Sequence, residues 1–91
     1  MKELKLDSLF EAILTLKNVD ECEKFFRDLC TISELKCMSE RWDALKMIEE
    51  GIPYRTIAKK TGTSTATVTR IAHWLNNGTG GYKMALGRRK V

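Results

Sequence analysis

The spacing of Ala58 and Gly62 constrains the fold of this 91-residue chain more than any other feature. A small side chain lets two helices approach where they cross. A glycine four positions later accepts the positive φ of a tight turn. Ile57 lies just before the alanine, and Val68 and Ile71 follow the glycine at the positions that hold a second helix against the first. Segment 54–73 therefore reads as a helix-turn-helix. Pro53 suits the first turn of the leading helix, roughly 53–60. Thr63 or Ser64 suits the cap of the following helix, roughly 64–75.

The rest of the chain also reads as helix. Leu6, Leu9, Phe10, Ile13 and Leu14 recur at i, i+3, i+4, i+7 and i+8, which predicts a first helix over roughly 5–17. Asn18 ends it in this reading, and Asp20 caps a second helix over roughly 20–30. That helix carries Cys22, Phe25, Phe26, Leu29 and Cys30 on one side. Thr31 followed by Glu34 is a capping box, and it opens a long third helix over roughly 32–50. Leu35, Met38, Trp42, Leu45 and Ile48 form its narrow apolar seam, and Gly51 stops it. No strand-like alternation is sustained, so the fold class is all-α. The stretch Asn76-Asn77-Gly78-Thr79-Gly80-Gly81 reads as flexible linker. A short helical turn at Tyr82–Leu86 and a disordered basic end follow it.

This predicts one domain in three regions: a helical core and dimerisation region over 1–50, the helix-turn-helix over 51–77, and a flexible basic tail over 78–91. The apolar stripes of the first three helices exceed what three short helices hide in one small unit. A homodimer sharing that core resolves the excess. The alternative is a compact monomer with the basic module packed on the same core.

Charge is divided as sharply as the helices. The first 50 residues carry eight Lys and Arg against twelve acids, net −4. Residues 51–91 carry Arg55, Lys59, Lys60, Arg70, Lys83, Arg88, Arg89 and Lys90 and no acid, net +8, which gives the overall +4. An ordinary solvated surface mixes both signs. This one suits a polyanion, with counterion release supplying affinity. No apolar run approaches a membrane span, and the N-terminus lacks the apolar core of a secretory signal, so the expected location is the cytoplasm. Cys22, Cys30 and Cys37 fit no zinc spacing, and the single His73 completes no cluster, so no metal is expected. No cofactor is expected either. No carboxylate pair or nucleophile–base pair appears, and Gly78-Thr79-Gly80-Gly81 lacks the context of a phosphate-cradling loop, so no enzymatic activity is expected.

With Val68, Ile71 and Leu75 turned inward, Thr65, Ala66, Thr69, Arg70 and His73 turn outward, and Thr67 lies near the edge. Thr and Ala methyls suit a thymine methyl, and Arg70 suits the O6/N7 pair of guanine. Ser64 and the first-turn N–H groups suit a phosphate. Tyr54 and Arg55 open the leading helix, where Arg55 is a second reader of bases or phosphate. Lys59 and Lys60 suit the backbone, where contacts position without specifying. An α-helix fits the DNA major groove and not that of A-form RNA, so double-stranded DNA is the expected partner.

The segment Ala66-Thr67-Val68-Thr69-Arg70, with Tyr54-Arg55 and Gly62 before it, resembles the Trp repressor family. Ile32-Ser33-Glu34-Leu35-Lys36, Met38-Ser39-Glu40-Arg41-Trp42 and Asn76 through Tyr82 are similar to its YerC/YecD branch. The likeness spans all but the last few residues. It implies an all-helical, intertwined homodimer, a pair of recognition helices related by a two-fold axis, and a pseudo-palindromic operator. It also implies a bacterial regulator, with a repressor the leading reading.

The resemblance further implies that Thr31, Arg41 and Arg70 match three residues around the repressor's indole ligand. Two positions depart from the pattern: Ile71 replaces a glycine, and Trp74 replaces a serine. Their bulk is expected to occupy the ligand's volume, so tryptophan is not expected to bind. Trp74 is either a built-in substitute for the ligand or simply an apolar residue closing the domain. Two other functions compete: a protein-interaction module that reuses the helix-turn-helix, and a sensor of another small molecule anchored by Arg41.

Overall fold

The structure is a computed structural model and describes residues 5–89. Six helices follow in order: α1 Asp7–Leu14, α2 Val19–Leu29, α3 Ile32–Glu49, α4 Tyr54–Thr61, α5 Thr65–Asn77 and α6 Gly81–Arg89. All regular structure among the described residues is helical, as the sequence predicts. None of these helices is long and apolar enough to cross a membrane. The chain separates into two compact units, one running up to Leu35 and one from Lys36 onward.

The first unit holds α1, α2 and the start of α3. Helix α1 stops at Leu14, short of the predicted 17, where the Thr15 hydroxyl donates to the Ala12 carbonyl at 2.6 Å. Such a local bond competes with continuing the helix. The cap of α2 is Asn18, not Asp20. Asn18 is extended, with φ −157° and ψ 174°, and its side chain accepts the Glu21 N–H at 2.9 Å. Glu21 in turn accepts the Lys17 N–H at 2.9 Å, while Asp20 sits inside the first turn, where its charge favours the helix dipole. The capping box at α3 forms as predicted. The Thr31 hydroxyl accepts the Glu34 N–H at 3.1 Å, and the Glu34 carboxylate accepts the Thr31 N–H at 2.7 Å. Hydrogen bonds to that carboxylate from Thr31, the backbone N–H first and the side chain second, hold the Glu34 carboxyl below the ordinary glutamate range.

The core lies in the second unit. Leu45 of α3, Ile57 of α4 and Val68 of α5 are fully buried, and Ala44, Ala58, Ile71 and Leu86 join them. Trp42, Met47, Ile48, Ile52, Leu75 and Tyr82 pack around this cluster. Helix α4 packs on α5, and α5 on α6.

Two expectations at the C-terminal end are corrected. Helix α5 runs through Asn77 because the two asparagines do not break it. The Asn76 and Asn77 side chains donate back to the Ala72 and His73 carbonyls, each at 3.1 Å. The linker is therefore only Gly78 to Gly80. Gly78 closes α5 by donating its N–H to the Trp74 carbonyl at 2.9 Å. A Cβ there would lie 2.5 Å from that same oxygen, so only glycine fits. Beyond it, the expected short turn and disordered end are instead the helix α6. Tyr82 and Leu86, one turn apart, anchor it to the core, and Leu86 is only 3% exposed. Arg88 and Arg89 lie in its last turn, where the helix dipole favours cations. Lys90 lies outside the described residues.

Candidate nucleic-acid interface

The helix-turn-helix is built as the sequence reading expects. Ala58 is buried where α4 meets α5, and Gly62 turns the chain with φ +76°. The Gly62 and Thr63 N–H groups both donate to the Ala58 carbonyl, which closes the end of α4. Buried Thr61 donates its hydroxyl to the Ile57 carbonyl at 2.8 Å and meets the Thr63 hydroxyl at 3.0 Å. The turn is thus cross-linked by side chains as well as backbone. Ser64 caps α5 by accepting the Thr67 N–H at 3.1 Å.

Packing of Val68, Ile71 and Ala72 into the core leaves the other face of α5 in solvent. Thr65, Ala66, Thr69, Arg70 and His73 are all exposed there, and Thr67 is half-buried at the edge. Their hydrogen bonds decide what each can offer. The Thr69 hydroxyl donates to the Thr65 carbonyl at 2.9 Å, so outward it presents a methyl group and oxygen lone pairs. The Arg70 Nη2 donates to the Thr67 hydroxyl at 3.2 Å. The His73 ring meets Trp74 edge-on, with centroids 5.4 Å apart, and its Nδ1 lies 3.4 Å from the Asn77 amide nitrogen.

Helix α4 contributes a second surface. Tyr54 and Arg55 are exposed at its start, and Lys59 and Lys60 near its end. An open groove of about 900 Å³ runs beside Arg55, Thr56, Lys59, Lys60, Thr63 and Thr65. Three cations and three hydroxyls without a carboxylate suit a phosphate chain. Thr56 and Thr63 are not among the interface residues expected from the sequence, where Thr63 stands only as an alternative cap to Ser64. They lie one before Ile57 and one after Gly62, so hydroxyls flanking the two motif residues were the available signal.

The three residues matched to a ligand divide between the units. Thr31 belongs to the first, where its hydroxyl serves the capping box. Arg41 and Arg70 belong to the second, where they line one cavity of about 320 Å³ with Thr67, Ile71, Trp74 and Tyr82. Ile71 reaches this cavity from the core and is 5% exposed, whereas Trp74 is 57% exposed. Tyr82 comes from α6, which the sequence reading left as a turn. No group of three metal-ligating side chains occurs among the described residues.

Known proteins share this fold. The profile of the Trp repressor protein family matches residues 4–90. The uncharacterized protein YerC of Bacillus subtilis strain 168 is 46% identical over 86 residues, which cover 94% of this chain and 83% of that protein. The crystal structure of a TrpR-like protein from Eubacterium eligens ATCC 27750 superposes with a TM-score of 0.93 at 42% identity, over 100% of this chain and 97% of that one. A candidate Trp repressor from Staphylococcus aureus superposes with a TM-score of 0.88 at 46% identity, over 94% and 86%. Sequence match, helical order and superposition agree: this chain belongs to the Trp repressor family.

Proposed function

We propose that this protein is a bacterial transcriptional repressor that reads a pseudo-palindromic operator as an intertwined homodimer. The observation that carries this reading is the acid-free face of α4 and α5. Arg55, Lys59 and Lys60 stand beside one groove, and Thr65, Ala66, Thr69, Arg70 and His73 are exposed along the recognition helix. Ser64 and Thr67 bring the first turn of α5 to a phosphate, and Tyr54 and Arg55 contact the flanking backbone or base. The family is one of DNA-binding regulators, and the role is binding rather than catalysis. DNA as partner places the protein in the cytoplasm.

Dimerisation is supported by what the chain leaves uncovered. Leu14 is 84% exposed, Val19 83%, Ile32 62% and Leu29 50%. Burying such side chains contributes about 1.5–3 kcal/mol each. Residues 1–50 are assigned to dimerisation and 51–77 to reading. Two recognition helices about 34 Å apart would then enter successive turns of one groove.

The regulator does not require tryptophan. Ile71 and Trp74 place bulk at the wall of the cavity between Arg41 and Arg70. A second reading, favoured by the volume that remains beside those two guanidinium groups, is a sensor of another small anion.

The test is selection of bound duplexes from a random DNA pool by the purified protein, with no small molecule added. Enrichment of a pseudo-palindrome is expected. Binding without enrichment would shift the reading to the sensor with its effector missing. No binding at low salt would sink the proposal in favour of a protein-interaction module.

A further inference from the structure

We propose that Thr67 is a positioning residue: its hydroxyl fixes the reach of Arg70 and so sets how sharply one base position is read. This inference rests on the assignment of α5 as the recognition helix and deepens it.

A threonine hydroxyl has two lone pairs and one proton. Here the oxygen accepts from the Ser64 hydroxyl at 3.1 Å and from the Arg70 Nη2 at 3.2 Å. The Thr67 N–H donates back to the Ser64 oxygen at 3.1 Å. Ser64, Thr67 and Arg70 thus form one chain from the N-cap to the second turn of α5. Three-residue spacing makes this possible, because i and i+3 are neighbours on a helix surface.

The anchor is stiff where the reader is not. Threonine is β-branched, so its χ1 is restricted in a helix, and Thr67 is half-buried. Arg70 is long and exposed and samples many rotamers unless it is held. Arg70 and Thr67 both line the cavity that Arg41 lines, and two like charges in one cavity repel. The bond to Thr67 holds the guanidinium near the first turn of α5. A side chain already ordered loses less freedom on binding, which sharpens discrimination. The Thr67 proton stays free to donate to a phosphate oxygen, and hydrogen bonds in such a chain polarise one another.

The experiment is a double-mutant cycle on the full chain, read by fluorescence anisotropy with the selected duplex and its single-base variants. T67V keeps the β-branch and the backbone bond to Ser64 but removes the oxygen. It is expected to reduce discrimination at the Arg70 base position about threefold or more, with T67S restoring it. The double variant T67V/R70A is expected to match R70A alone, because Thr67 acts through Arg70. Full additivity of the two effects would overturn the proposal. So would a uniform loss of affinity for all sequences, which would make Thr67 only a phosphate contact. If R70A itself leaves every base preference unchanged, the assignment of the reading face fails first and the positioning role falls with it. Circular-dichroism melting of each variant identifies any loss of helix, and T67A replaces T67V in the cycle if the valine lowers the melting temperature.

Discussion

The two units of this chain solve the problem of a small core in different ways. Neither α1 nor α2 has a single buried residue. Among the described residues, every fully or nearly buried side chain lies from Ala44 to Leu86. Charge divides with burial. Residues up to 35 carry five Lys and Arg against eight acids, net −3, and those from 36 carry eleven against four, net +7. The cationic unit is packed around its own core and presents its polar side chains ready-made. In the acidic unit α2 and α3 begin at side-chain caps and α1 does not, and apolar side chains such as Leu14, Val19 and Leu29 stay exposed. Capping determines where helices begin, and it does not bury them. One unit encloses its own core, and the other leaves its apolar side chains exposed.

The largest expected effects test that contrast directly. Leu45 is fully buried, so L45A should cost about 2–5 kcal/mol of stability. Leu14 is almost fully exposed. L14D should leave the fold of the cationic unit intact while shifting sedimentation from dimer to monomer. If L14D instead unfolds the whole chain, or leaves a dimer unchanged, the division into a self-sufficient and a partner-dependent unit is wrong.

Next in size is the reading face. R70A should weaken binding to the preferred site by about 1–3 kcal/mol and relax one base position, whereas K59A or K60A should weaken all sequences alike and flatten the salt dependence. Equal behaviour of arginine and lysine variants would erase the distinction between the exposed face of α5 and the groove beside α4.

A somewhat smaller effect isolates the turn. Gly62 has φ +76°, and a Cβ there would meet only the Glu40 carboxylate oxygen at 3.7 Å, an ordinary contact. The penalty of G62A is therefore one of backbone conformation, about 1–2 kcal/mol. It should appear as a lower melting temperature, with base preference retained by the fraction that folds.

These predictions also show which parts of the molecule were legible in the residues. The helix-turn-helix was, because Ile57, Ala58, Gly62, Val68 and Ile71 act locally within one turn and two helices. The Thr31–Glu34 box was legible for the same reason. Asn18 and Asp20 were harder to separate, since both side chains can cap and only the extended backbone at Asn18 decides between them. Asn76 and Asn77 read as linker because their composition suits a turn, yet their amides bond back along α5. Helix α6 was half-legible. Tyr82 and Leu86 marked a turn, but the reason it extends to Arg89 is a core assembled from α3, α4 and α5. That information is tertiary and has no local signature. The cavity beside Arg41 and Arg70 shows the same limit, because Tyr82 reaches it from a helix the pattern understated.

The smallest effect concerns the cap of α3, where a charge and a backbone bond act together at a fully exposed site. The Glu34 carboxyl is held below its ordinary value of 4.5, first by the Thr31 N–H and then by the Thr31 hydroxyl. A carboxyl whose folded value is depressed contributes stability that is fully present above the unfolded value and is lost as pH falls through the folded one. The cap should therefore be at full strength at neutral pH and weaken only below about 4.5. E34Q keeps a hydrogen-bond acceptor at N3 but cannot ionise. The gap in melting temperature between wild type and E34Q should be constant from neutral pH down to that value and should close in more acid solution. A gap that persists unchanged through the acid range would mean that the bond geometry, and not the charge, holds the start of α3.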